Sequence, residues 1–122
     1  MPIRMEITVR VVNVSQGTVL AESADVARTM LTRMRGLLGR SHHEKGSGLI
    51  LEPGQSIHTV FMAFPIDAVF VDRDLKVVRL LANMRPFRAS PFVRTARSIV
   101  ELPVGTIAES ATEVGDTLKF EV

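Results

Sequence analysis

The sequence predicts an all-β domain with one short helix, mostly antiparallel and built as a β-sandwich or a partly closed barrel. Three observations carry that expectation. Roughly seven to nine short stretches alternate in polarity or are rich in β-branched residues, with turn residues between them. The most apolar region, residues 56–72, is divided by Pro65 into two strand-length runs, 58–62 and 66–71. Nothing reads as alternating strand and helix units, which argues against a parallel doubly wound sheet.

The elements follow in order. Residues 3–14 alternate cleanly, with Ile3, Met5, Ile7, Val9 and Val11 against Arg4, Glu6, Thr8 and Arg10. Turn residues at 13–17 reverse the chain into a second extended stretch, 18–26, so the two can form a hairpin. Residues 29–38 are the best helix candidate: Thr29 can cap it, Met30, Leu31, Met34, Leu37 and Leu38 fall near helical spacing, and Gly39 stops it; a helix starting earlier, at Asp25, is the alternative. Residues 41–47 read as a polar loop and 48–52 as a short strand. Pro53-Gly54 marks a turn. After the two central runs, Asp72-Arg73-Asp74 reads as a hairpin tip, with the return strand at 76–81. Residues 82–94 are irregular, broken by Pro86 and Pro91, and Phe87 and Phe92 are expected to pin this segment to the body. Residues 95–102 form another strand, 105–112 a turn or single helical turn, and Leu118, Phe120 and Val122 mark a last alternating strand.

The run 66–71 is the informative one. Ile66, Ala68 and Phe70 share one face, and Val69 and Val71 the other, so the strand is covered on both sides. Asp67 falls on the Val69 and Val71 face. A charge placed inward must be hydrogen-bonded or paired.

Composition narrows the classes. The 122 residues fit one domain, 1–122, with a real core. No run reaches the length of a membrane span, and the charges at Arg4, Glu6 and Arg10 do not suit a signal peptide. A cytoplasmic protein with no membrane partner is therefore expected. Without cysteine there is no disulfide, thiol nucleophile or thiolate metal site. The formal charge of +2 does not favour a nucleic-acid partner, although twelve arginines against three lysines suit contacts with carboxylate or phosphate.

The ordered runs Arg35-Gly36-Leu37-Leu38-Gly39-Arg40, Gly48-Leu49-Ile50-Leu51, the whole of 56–72, the Val-Glu-Leu-Pro-Val-Gly run ending at Gly105, and Gly115-Asp116 carry a resemblance. Over residues 19–122 the chain resembles the bacterial and archaeal family called domain of unknown function 192. The resemblance implies a small β-sandwich-like domain and no established activity. Its pattern falls on Arg35, Gly36, Arg40, Met62, Pro65, Asp67, Glu101, Gly105, Gly115 and Asp116. Phe61 stands where many members have tryptophan. Many members also carry a secretion or lipoprotein signal ahead of the domain, and no such pattern is read here.

Asp67 and Glu101, both set inside apolar runs, could work as an acid–base pair. The plainer alternative is that each accepts hydrogen bonds from an arginine or from loop backbone and fixes the fold. His58 alternates with Val60 and Met62 and could orient a ligand; a structural histidine is the plainer reading. His42-His43-Glu44 lacks both helical spacing and a third fixed ligand, so no metal is expected. No phosphate loop or dinucleotide fingerprint is present, so no cofactor is expected. The leading expectation is a non-enzymatic binding or accessory domain with a polar pocket for a small anionic or polar ligand. Asp67 and Glu101 would form its floor, and Arg35, Arg40, His58, Met62 and Arg85 its surround. The alternatives are a small hydrolase or isomerase using Asp67 or Glu101 as base, and a nucleic-acid binder using the clustered arginines.

Overall fold

The computed structural model describes residues 7–27, 45–59 and 64–122. They form seven strands: β1 (Thr8–Asn13), β2 (Thr18–Ala27), β3 (Ser47–Leu51), β4 (Ile66–Val71), β5 (Val77–Met84), β6 (Ser98–Pro103) and β7 (Leu118–Glu121). One helical turn, α1 (Thr106–Glu109), lies between β6 and β7. The helix expected at 29–38 falls outside the described residues. Among the described residues, no helix is long and apolar enough to cross a membrane.

The strands make one sheet in the order β5-β4-β6-β3-β2-β1-β7. Every neighbouring pair is antiparallel except β2 and β3, which run parallel. The expected hairpin of β1 and β2 forms, with Asn13 opposite Thr18. The hairpin tip at Asp72 also forms: its side chain accepts the N–H groups of Asp74 and Lys76, both at 2.9 Å.

The sheet curls until its edges meet at one end. Lys76, just before β5, bridges Thr117, just before β7. Val77 N–H donates to Asp116 at 2.8 Å, and Leu118 N–H donates to Leu75 at 2.8 Å. The result is the barrel-like option, a half-barrel of one sheet, rather than two sheets packed face to face. Right-handed strand twist makes such curling natural for a seven-stranded sheet.

Both faces of the sheet are packed. Every residue of β4 is buried. Val69 and Val71 join Val11, Leu20, Ile50, Val100 and Leu102 in one core. Ile66, Ala68 and Phe70 join Leu49, Leu51, Ile99 and Met84 in another. Ile57 and Ala96 belong to this second core and Val93 packs against it, so the segments around them cover that face.

Candidate functional site

Asp67 is 1% exposed, and its companions are backbone groups. Asn83 N–H donates to one carboxylate oxygen at 2.9 Å. Gly105 and Ile107 N–H donate to the other at 3.1 and 2.9 Å. Local geometry explains the donors. Between the pairs Ile66↔Met84 and Ala68↔Leu81, both Ala82 and Asn83 stand opposite Asp67, which is a β-bulge. Asn83 has φ 53°, a left-handed value that asparagine tolerates well. Gly105 has φ 97°, where an L side chain is strained, and it opens the turn of α1. A single carboxylate thus ties β4, the bulge in β5 and the start of α1 together.

Glu101 is fully buried in β6, opposite Ala68 and Leu49. Those two residues and Ile99 belong to the second core, whereas Asp67 lies on the face of Val69 and Val71. Alternation therefore sends the two carboxylates to opposite faces of the sheet. The structure does not bring them to one pocket floor.

His58 and Arg85 are exposed and lie in a third place. His58 forms an isolated antiparallel bridge with Ala89. Arg85 offers its carbonyl to the Thr59 hydroxyl at 2.6 Å. Arg35, Arg40 and Met62 lie outside the described residues, as do His42, His43 and Glu44.

His58 and Arg85 belong to an ordered arm, residues 85–94, laced to residues 55–59. Arg88 N–H donates to the Thr59 hydroxyl at 2.9 Å, and Thr59 N–H donates to Arg88 at 2.8 Å. Ser90 N–H donates to Ile57 at 2.8 Å, and Ile57 N–H donates to the Ser90 hydroxyl at 2.9 Å. Val93 N–H donates to Gln55 at 2.7 Å. The expectation that Phe87 and Phe92 anchor this segment is corrected: they are 71% and 66% exposed. Buried Thr59, together with Ser90 and Val93, does the anchoring instead. Sequence reasoning missed Thr59 and Ser90, and a lone hydroxyl beside apolar residues gives no signal of that role.

Arg85, Arg88 and Arg94 are all exposed. The ion pairs found among the described residues join Arg10 to Glu22 and Glu121, Lys45 to Glu109, and Lys119 to Glu121, so none involves these arginines. From residue 76 to residue 100 the chain has Lys76 and five arginines and no carboxylate. That segment carries +6, and since the whole is +2 the remainder carries −4.

Two hollows border α1, sharing Lys45, Thr106 and Glu109 in their walls. Their volumes are about 340 and 480 Å³, and neither is lined by His58, Asp67, Arg85 or Glu101. Elsewhere, Asp116 closes the sheet. Its carboxyl is held below its ordinary value of 3.8 by the Asn13 side chain first, then by Glu113 N–H and Gln16.

Known proteins share this architecture. A crystal structure of a Novosphingobium aromaticivorans protein of unknown function is similar over 93% of this chain and 84% of its own, with a TM-score of 0.77 at 23% identity. A proposed transcription regulator from Sinorhizobium meliloti is similar over 93% and 92%, with a TM-score of 0.75 at 21% identity. In sequence, the chain is 33% identical to a UPF0127 protein of Thermococcus sibiricus over 115 residues, 91% of this chain and 74% of the relative. A UPF0127 protein of Thermococcus gammatolerans is 29% identical over 116 residues, 92% of this chain and 75% of the relative. The model of the DUF192 family, described as an uncharacterized ACR, matches residues 11–120. With that match running from within β1 to within β7, and including the strand that carries Asp67, the chain belongs to the DUF192 family.

Proposed function

We propose that this domain is a non-enzymatic binding or accessory module that takes an anionic ligand on the arm, not in a pocket between the two acidic residues. One observation supports this above the others. Arg85, Arg88 and Arg94 stand exposed on a segment without any carboxylate, while the rest of the chain is net negative. Guanidinium groups in that setting bind carboxylate or phosphate oxygens through forked hydrogen bonds.

The hydrolase or isomerase reading has less behind it. A general base needs access to the proton that it removes. The Asp67 carboxylate is buried and already accepts three backbone N–H groups. Glu101 sits under the opposite face and cannot act with it. Nucleic acid is one polyanion that would satisfy the same arginines, and its binding would be strongly salt-dependent.

The test is a titration with inorganic polyphosphate at low salt, followed by amide chemical shifts. Shifts centred on Arg85, Arg88 and Arg94 that vanish at high salt are expected. Shifts confined to the hollows at Lys45, or none at all, would refute the assignment.

A further inference from the structure

Among the described residues, no core contact accounts for a phenylalanine at position 87. Its side chain is left in water, and its backbone sits at φ 61°. A Cβ is crowded there, and glycine or asparagine is the ordinary occupant. The neighbours impose that conformation: Phe87 N–H donates to Thr59 at 3.0 Å, and the next N–H donates to the Thr59 hydroxyl. Backbone strain of this kind clusters at active sites and ligand clamps. Phe92 repeats the exposure five residues on. The polar side chains that shape the arm, Thr59, Ser90 and Gln55, are engaged within the protein. What the arm offers outward is two apolar rings and three guanidinium groups.

Building on the anion-binding reading above, we infer that the arm is a membrane-docking element for an anionic lipid surface. Phe87 and Phe92 enter the boundary between headgroups and acyl chains, and Arg85, Arg88 and Arg94 contact lipid phosphates. Each part of the arm has its counterpart there. The rings need an apolar medium that makes no demand for a matched pocket, and a bilayer boundary is one. The guanidinium groups need phosphate at the level where the rings enter, and headgroups supply it. Single-stranded nucleic acid fits less well, because bases stack on aromatic faces set in a platform. Both rings are exposed and lie outside the strands of the sheet. Along the sequence, the segment that contains the arm carries +6 and no carboxylate, which suits an anionic surface. Docking in the plane of the interface needs no spanning segment, so the sequence argument against a span does not bear on it.

The experiment is co-sedimentation with vesicles of phosphatidylcholine alone and of phosphatidylcholine containing phosphatidylglycerol, alongside polyphosphate binding. The native chain is expected to sediment only with the anionic vesicles. The pair Phe87→Gly with Phe92→Ser should weaken vesicle binding at least about tenfold more than polyphosphate binding. The pair Arg88→Gln with Arg94→Gln should weaken both, by roughly fivefold per arginine on vesicles. Thermal melts of each variant check the fold, and both rings are exposed, so folding is expected to survive. Polyphosphate binding without vesicle binding overturns the membrane inference and leaves the anion-binding reading standing. Failure of both removes both. Vesicle binding indifferent to the phenylalanines, or binding of a single-stranded oligonucleotide that depends on them more than vesicle binding does, also overturns it.

Discussion

Phe70 lies in the middle of β4 with no exposed surface, and its neighbours along the strand feed two separate cores. Phe87 lies in the arm with 71% of its surface in water, on a backbone bent into the left-handed region. In β4 the backbone is regular and the side chains provide the energy: apolar groups are removed from water on both faces, and one carboxylate absorbs three N–H donors. In the arm the order comes from hydrogen bonds to the segment around Thr59, made by backbone groups and by the Thr59 and Ser90 hydroxyls, with Val93 packed on the second core. The arm's larger side chains are not used to hold it. A segment held in this way leaves its phenylalanine and arginine side chains available for something outside.

The largest effect should come from the buried side. Phe70→Ala removes a fully buried ring that has no route for water to replace it, and should cost about 3–5 kcal/mol in urea unfolding. Phe92→Ala should stay within about 0.5 kcal/mol of the native chain. Comparable losses from the two substitutions would break the contrast. Asp67→Ala comes next. It leaves three backbone donors facing apolar groups, for a cost of about 3 kcal/mol, with faster amide exchange at Asn83, Gly105 and Ile107. If those amides keep their protection, the carboxylate is not what ties α1 to the bulge.

Acid sharpens the contrast further. The Asp116 carboxyl is held below its ordinary value, so its contribution to stability is fully present above about pH 4 and is lost as pH falls through the lowered folded value. Amides near the meeting of β5 and β7 should therefore lose protection in that window. The arm, residues 85–94, has no carboxylate and should not respond there. Equal responses would mean that the arm and the closure of the sheet open together.

The sequence made the dual-faced strand legible because side chains alternate: Ile66, Ala68 and Phe70 against Val69 and Val71 fall in the two cores as residue parity requires. The need of Asp67 for a companion was legible too, since an inward charge has few options. The identity of the companion was not. The donors are backbone N–H groups exposed by a bulge at Ala82 and Asn83 and by a turn at Gly105, and backbone donors leave no side-chain signature. The pairing of Ala68 with Glu101, which separates the two carboxylates, is a register between strands distant in sequence. It follows from how the whole sheet assembles. Phe87 and Phe92 misled for a related reason. Composition says that phenylalanine is buried, but whether the arm folds its rings under or leaves them out is decided by Thr59 and its neighbours, roughly thirty residues earlier.

The smallest expected effect has the opposite sign from the rest. Phe87→Gly deletes a ring that buries little and frees a backbone already at φ 61° from its Cβ. Relief of left-handed strain is worth up to about 1–2 kcal/mol. Glycine's greater freedom in the unfolded chain takes back about 0.5–1 kcal/mol of that. The substitution should therefore leave the melting temperature unchanged or raise it slightly, while the Thr59 hydrogen bonds persist. A clear loss of stability would show that the ring contributes to the fold after all, and the argument that it is held out for an outside surface would lose its support. A gain would mean that the native chain keeps a residue that the fold itself does not favour. In that case the reason for the phenylalanine lies in what the arm touches.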